Sequence, residues 1–273
     1  MGKSVLNLVN YDFVAPKDPE ASIWRYMDLA KYLSMLYTGS VYFANTLILK
    51  EDRFELSWPR RVLEQRQETT RSMFDRLYSS FLLQNPGQEE SLPSIDSVVE
   101  MDEKYRSWEK NYTFVSCWHL GDVESAAMWK IYGSESKSIV IRSKISSLID
   151  QIRRSPSFAG FGEGLDYLSV GAVQYIDFDE FEDFMYELPY ARAFLKRKNF
   201  SHEKEIRVVL GKITGRTFER GIAVRVNLGS LIEEVRIGPG AEPWFIEMVK
   251  EATNKFGFDF PVNRTSLDND PIF

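Results

Sequence analysis

The chain has 273 residues, of which 44% are hydrophobic and 14% aromatic, enough apolar material to bury a large core. Its formal net charge of −6 argues against non-specific binding to nucleic acid, because that affinity comes mainly from neutralising phosphates. The single cysteine, Cys117, excludes an internal disulfide, and two histidines, His119 and His202, leave little material for a zinc site. No apolar run approaches the roughly 20 residues that span a bilayer, and no secretory signal is recognisable near Met1. We therefore expect a cytoplasmic protein with no membrane partner.

The first elements in chain order alternate between strand and helix. Residues 22 to 26 read as a strand, and Asp28 can cap a helix whose apolar residues recur at helical spacing up to a left-handed stop at Gly39. A second strand is expected from Val41 to Ala44. After a polar loop at 51–55, Pro59 opens a long helix to about Leu83, and Ser94 caps another to about Lys110. We expect this pair, about 59–110, to be a helical insertion.

The rest of the chain mixes the two element types irregularly. We expect strands at 113–118, 138–141, 170–175, 222–226 and 234–237, and helices at 124–132, around Leu148, over 179–198 and at 243–256. A Gly/Ser loop is expected from Ser155 to Gly164, and a strand carrying Glu203 directly after Lys198. With no repeat or low-complexity tract, the chain predicts a single mixed α+β domain over 1–273.

An acidic pair enters this late strand. Because strand side chains alternate, Glu203, Glu205 and Arg207 are expected to share one face. Carboxylates carried into a sheet cost several kcal/mol in desolvation unless a partner or ligand compensates, so the pattern indicates a site. A second interpretation stays open, in which Glu203 and Arg207 simply pair across a solvated face.

Short motifs along the chain form an ordered series. It resembles a widespread bacterial and phage family known only as a domain of unknown function. The resemblance covers about residues 23–240 and rests on Trp24-Arg25-Tyr26, Val41-Tyr42-Phe43, Asp52 with Glu55, Ser116-Cys117-Trp118, Glu124-Ser125 with Met128-Trp129, Tyr132-Gly133, Lys198 with Phe200, Glu203-x-Glu205-x-Arg207 and Ile237-Gly238-Pro239.

A more distant resemblance supplies chemistry. The order of Arg25, Ser116 and Glu203-x-Glu205 is similar to that of the arginine, serine and glutamate elements of ADP-ribosyltransferases, although Cys117-Trp118 stands where a Thr-Ser pair is usual. The resemblance implies a central split or twisted sheet, NAD as the substrate, and transfer of ADP-ribose to an acceptor that the sequence does not identify. A toxin or phage-defence effector is the biological role that goes with it.

The same resemblance implies a role for each residue. Glu205 would stabilise the positive charge that develops on the ribose when nicotinamide leaves, and Glu203 would orient or deprotonate the acceptor. Arg25 would hold the pyrophosphate of NAD. The remaining cofactor contacts would come from the serine element and from aromatic rings that stack on nicotinamide or adenine: Ser116, Tyr26, Trp118 and Tyr132.

Two other functions remain open at this point. Asp52 and Glu55 could hold a metal together with the two glutamates, which would make a metal-dependent nuclease or phosphoesterase. Alternatively, the chain is a non-catalytic binding or regulatory domain, whose glutamates are fully paired with Arg25, Lys198 and Arg207 and leave no open pocket.

Overall fold

We describe the fold from a computed structural model, for residues 18–49, 51–87, 93–133, 137–155, 167–181, 190–211 and 220–271. The strands in these segments are β1 Ser22–Asp28, β2 Ser40–Asn45, β3 Thr113–Leu120, β4 Ser138–Lys144, β5 Tyr167–Ala172, β6 Gln174–Ile176, β7 Leu195–Arg197, β8 Glu205–Gly211, β9 Gly221–Arg225, β10 Glu234–Ile237 and β11 Val262–Arg264. The helices are α1 Leu29–Thr38, α2 Arg60–Gln84, α3 Ile95–Asn111, α4 Ala126–Tyr132, α5 Ile145–Arg153, α6 Leu228–Leu231 and α7 Pro243–Lys255. The α+β class is therefore confirmed.

A nine-stranded mixed sheet is the centre of the described structure. Its strands follow the order β11, β10, β4, β1, β3, β2, β9, while β8 lies along the other edge of β3 and β5 pairs with β8. Among the strand pairs of this sheet, only β10 and β11 run parallel. The parallel pair β6 and β7 forms a separate small sheet. The long β3–β8 ladder, in which His119 is opposite Glu205, fixes where the acidic strand lies in the sheet.

The two faces of the sheet carry different side chains. Ile206, Val208 and Leu210 of β8 point into the large apolar core, which α1, α5 and α7 complete. The alternate residues of β8 point to the opposite face, where the segment 190–203 covers them. On the same face, α4 packs against Trp24 of β1 and Val140 of β4. Charged groups of β8 are thus buried under a second, smaller apolar layer rather than in the main core.

Local signals explain why most elements begin and end where expected. Asp28 accepts a hydrogen bond from the Lys31 amide at 2.8 Å, and Gly39 ends α1 at φ 59°. Ser94 caps α3 through the Ser97 amide at 3.2 Å. The helices predicted from Pro59 and from Ser94 are therefore confirmed, whereas their status as an insertion in the domain stays a prediction. None of the helices in the described segments has the length and apolar character needed to cross a membrane.

Two element predictions were wrong in part, and a third lies almost wholly outside the described residues. The strand expected at 170–175 divides at Val173 into β5 and β6. The helix expected over 179–198 is replaced, in its described part, by a 3-10 turn at Ala191–Phe194 and by β7; residues 182–189 of that prediction lie outside the described residues. The loop predicted from Ser155 to Gly164 also lies outside them, except for Ser155.

The acidic strand begins two residues later than expected. Glu203 ends a 3-10 turn, Lys198–Glu203, and Lys204 adopts the left-handed conformation at φ 42° before β8 starts at Glu205. The placement of Glu203 on the strand was therefore wrong. A backbone reversal of this kind cannot be read from alternating residue types, because lysine is not a residue that marks a left-handed turn.

Substitution of Lys204 tests this backbone conformation. We expect Lys204→Gly to be neutral or slightly stabilising, and Lys204→Val to lower the free energy of unfolding by about 1 to 2 kcal/mol, because a β-branched residue fits the left-handed region poorly. Urea unfolding of both variants measures the difference. Since Lys204 is exposed, equal stability of the two variants would contradict the left-handed assignment.

Candidate functional site

A cavity of about 320 Å³ lies beside the point where β1 and β2 diverge along β3. The ladder with β1 covers His119 and Leu120, and the ladder with β2 covers Phe114 and Val115. Among the described strands, residues 116–118 thus have no ladder partner on that edge of β3. Side chains from six parts of the fold line the cavity: Trp24, Arg25, Tyr26, Ile48, Leu49, Glu51, Asp52, Glu55, Cys117, Trp118, His119, Met128, Tyr132, Lys196, Glu205 and Arg207.

Arg207 is the centre of a buried charge network at this cavity. Its guanidinium donates to both carboxylate oxygens of Glu55, with Nη2 3.2 Å from Oε2. It also lies 2.7 Å from Oε2 of Glu205. All three side chains are at most 8% exposed, so the pairing offsets a desolvation cost that none of them could sustain alone.

Glu205 lines the cavity with a negatively charged carboxylate. Burial alone would raise the pKa of its carboxyl, but the charges of Arg207 and Lys196 hold that pKa below its usual range. Both cations approach Oε2, Arg207 at 2.7 Å and Lys196 at 3.7 Å. The Cys117 thiol also hydrogen-bonds this carboxyl, and Oε1 is the oxygen that neither cation contacts.

Glu203 lies deeper than Glu205. Its Oε2 is bonded to Lys196 Nζ, and only 2% of the residue is exposed. Burial, followed by the charge of Glu205, raises the pKa of Glu203 despite the Lys196 contact. Glu203 is absent from the cavity lining, so a direct contact with an acceptor in the cavity is not available to it in this structure.

Besides Lys196, two other cavity residues contact Glu203. The Tyr132 hydroxyl lies 3.3 Å from Glu203 Oε1, and His119 Nδ1 lies 2.6 Å from the Glu203 carbonyl. Because a carbonyl only accepts, Nδ1 carries the proton and Nε2 of a neutral ring is an acceptor. Burial lowers the pKa of His119, which favours this neutral form.

Arg25 occupies the gap in the sheet. It donates to Ser116 Oγ at 3.0 Å and to the Tyr42 carbonyl at 2.8 Å, and its guanidinium lies 5.6 Å from the centre of the Trp118 ring. Strand alternation places Arg25 and Trp118 on the face of the large core, opposite Glu205. Both faces thus contribute to the cavity at the gap. Burial lowers the pKa of Arg25 to about 10, so the group stays charged at neutral pH.

The predicted site residues fall into two groups. Glu205, Tyr26 and Tyr132 border the cavity on the charged face, while Arg25 and Trp118 border it on the core face. Ser116 is fully buried and bonds both Arg25 and the Trp118 indole nitrogen, the latter at 3.0 Å. With 1% exposure, Trp118 has little ring surface for stacking.

Sequence reasoning missed part of the charge network. Lys196, not Lys198, neutralises the acidic pair, and Glu55 is the second partner of Arg207. Because the sequence predicted a helix over 179–198, the contact between Lys196 and Glu203 could not be predicted from it. His119 was considered only as a possible zinc ligand, although it lies two residues after Cys117 on the same strand face.

Neither alternative function matches these contacts in full. Asp52 pairs with Arg197 at 2.7 Å and Glu55 with Arg207, so both are already compensated. Within the described ranges, no cluster of three histidine, cysteine or acidic side chains could hold a metal. The non-catalytic alternative is matched in one part, because both glutamates are paired with cations, and is not matched in the other, because a cavity is open beside them.

Comparisons with known proteins give only a distant likeness. No family model and no curated protein sequence match the chain, so the resemblance to a domain of unknown function stays a prediction. Similar solved structures include Thermus sp. 2.9 DarT in complex with carba-NAD+, with NAD+ and with ADP-ribosylated ssDNA, at 12%, 11% and 12% identity. The matches cover 92%, 93% and 92% of this chain and 98%, 99% and 96% of those chains, each with a TM-score of 0.38. A likeness at this level supports no argument about activity.

Proposed function

We propose that the chain is an NAD-consuming enzyme of the ADP-ribosyltransferase type, which breaks the bond between nicotinamide and ribose and transfers ADP-ribose to an acceptor. The observation that carries this proposal is the Glu205 carboxyl group, which is buried, paired with Arg207 and placed at the wall of an aromatic-lined cavity. Its position is fixed by Arg207 before any ligand arrives.

The chemistry requires a fixed negative charge. When nicotinamide leaves, positive charge develops on the ribose, as in the oxocarbenium-like transition states of glycoside hydrolysis. A preorganised carboxylate in a site that excludes water stabilises this charge without reorganisation at the moment of reaction. Oxygen Oε1 of Glu205 is the group that we assign to this role.

The remaining roles follow from the two faces of the cavity. Arg25 uses one N–H of each terminal nitrogen for Ser116 and Tyr42, so each nitrogen keeps a second N–H that can bind a phosphate oxygen. Tyr26 and Tyr132 are half-buried cavity residues and offer ring surface to nicotinamide or adenine. We assign Arg25 to the pyrophosphate on this basis.

The direct test is incubation of the purified protein with NAD, with nicotinamide release as the readout. Protein, single-stranded nucleic acid and water are compared as acceptors in parallel reactions. Release by the wild type that depends on Glu205 supports the proposal. Absence of release with every acceptor, in a protein shown to be folded, refutes it.

We also propose an effector role in toxicity or phage defence, in the cytoplasm of a bacterium. Consumption of NAD or modification of an essential macromolecule would arrest a cell. Expression of the wild type in bacterial cells should then stop growth, while an equally abundant Glu205→Gln variant should not.

A further inference from the structure

The Tyr132 hydroxyl lies between two carboxylates. Its oxygen is 3.0 Å from Glu51 Oε2 and 3.3 Å from Glu203 Oε1. A phenol has one proton and can donate to only one of these groups at a time. The other contact is a hydrogen bond only if that carboxyl itself carries a proton and donates it to the phenol oxygen.

Burial identifies which carboxyl carries the proton. Glu51 is exposed to water, whereas Glu203 is 2% exposed, and this burial favours its neutral form even though Lys196 pairs with its Oε2. The raised pKa of Glu203 agrees with this assignment. The shorter contact, to Glu51, is then the one that receives the Tyr132 proton.

Glu203 has no direct access to the cavity, but two of its partners do. Lys196 and Tyr132 both border the cavity and contact its carboxylate. A hydroxyl can accept a proton on its lone pair while it gives up its own, so it need not ionise. An ammonium group has no lone pair and cannot do this.

We propose that Tyr132 carries protons between the buried Glu203 and the cavity, with Glu51 as the exposed end of the path. The Glu203 carboxyl gives its proton to the phenol oxygen as the phenol proton passes to Glu51, which then releases it to water. Before that release the products are a Glu203 carboxylate, an intact phenol and a neutral Glu51, and after it Glu51 is again a carboxylate and the proton is in water, so atoms and charge balance at both steps.

The catalytic use of this path rests on the proposed function. A Glu203 carboxylate can take a proton from an acceptor that is bound at Tyr132: the acceptor proton moves to the phenol oxygen and the phenol proton to Glu203. Discharge through Glu51 then restores the carboxylate for the next turnover. Glu203 is thus a positioning residue that acts through Tyr132.

The titratable and charged groups around Glu203 must stay unchanged when the path is tested. They come from β3, β6, β7 and β8: His119, Tyr175, Lys196, Glu205 and Arg207. Tyr132→Phe removes the hydroxyl and leaves all of these side chains in place.

The first experiment needs no substrate. Carboxyl carbons of glutamate are labelled with ¹³C, the Glu203 signal is assigned through Glu203→Gln, and its titration is followed by NMR. In Tyr132→Phe we expect the titration midpoint to fall by about 0.5 to 1 pH unit, because the protonated carboxyl loses its acceptor. A midpoint that rises or does not move overturns the proposal, since the phenol would then donate to the Glu203 carboxylate or not bond it. Tyr37→Phe, at a tyrosine that is 80% exposed, is the matched control and should not shift it.

The second experiment measures turnover. Glu51→Gln keeps an acceptor for the Tyr132 hydroxyl but cannot take up a proton, so we expect nicotinamide release to fall about tenfold at low buffer concentration. Added imidazole, a mobile proton acceptor, should restore it. Glu68→Gln, an exposed carboxylate on α2, should have wild-type turnover and no imidazole dependence. Undiminished release by Glu51→Gln refutes the path while the proposed function stands. If the wild type releases no nicotinamide, the proposed function fails and the NMR titration alone decides the path.

Discussion

Glu205→Gln is expected to lower the rate of nicotinamide release from NAD by about 10²- to 10³-fold. The substitution keeps the size of the side chain and one acceptor oxygen, but it replaces the other oxygen with an N–H donor and removes the charge opposite the ribose. Loss of one preorganised electrostatic contact in a transition state costs about 3 to 4 kcal/mol. Because the charge acts mainly on the transition state, kcat should fall much more than KM changes.

The chain contains a matched control for this substitution. Glu234 also precedes an arginine by two residues on a strand, and its carboxylate lies 3.0 Å from Arg236. Neighbouring arginines lower the pKa of Glu234 despite burial, as Arg207 does for Glu205, but Glu234 does not border the cavity. We expect Glu234→Gln to retain wild-type nicotinamide release. Equal rate losses in the two variants would show that Glu205 matters only for folding.

Arg207→Met is expected to lower the free energy of unfolding by about 3 to 5 kcal/mol. Methionine fills much of the same space but leaves Glu55 and Glu205 buried without their shared cation. Breaking a buried ion pair from one side is costly for this reason. Urea unfolding of the wild type and the variant at neutral pH measures the difference.

A control variant and the pH dependence distinguish the expected effect of Arg207→Met from a general loss of stability. Arg60→Met removes the arginine of an exposed pair with Glu64, in which both side chains are more than half exposed, and should cost well under 1 kcal/mol. The folded-state pKa of Glu205 is depressed, so its pairing stabilises the protein above the unfolded pKa and is lost as pH falls through the folded value. The gap between the wild type and Arg207→Met should therefore narrow in acid. A gap that is below 1 kcal/mol at neutral pH, or that widens in acid, would contradict the proposed network.

Much of the secondary structure could be predicted because its signals are local. Asp28 and Gly39 bound α1, Ser94 caps α3, and the apolar residues of α7 recur at helical spacing. The structure of the segment 190–203 could not be predicted from such local signals. Its turns depend on contacts with distant residues, such as Arg192 with Glu109 and Arg197 with Asp52, which no local pattern encodes.

The sequence predicted several residues of the site but not how they are arranged around the cavity. The glutamates and Arg25 do lie near one cavity, yet a sequence does not show that Arg25 approaches from the opposite face of the sheet. That placement depends on where β1 and β2 separate from β3. The partners Lys196 and Glu55 are 7 and 152 residues from Glu203 and Arg207, respectively, so only the tertiary fold brings them together.

The divergence of β1 and β2 from β3 also provides a way to observe occupancy without knowing the reaction. Of the main-chain amides at 116–118, that of Cys117 points to the open edge, because strand amides alternate and the Leu120 amide bonds the Lys204 carbonyl on the β8 side. Its exchange with deuterated solvent is therefore governed by local opening rather than by the whole sheet. A molecule seated in the cavity would shield that edge. Slower deuterium uptake there on addition of NAD would report binding even for a variant that cannot turn over.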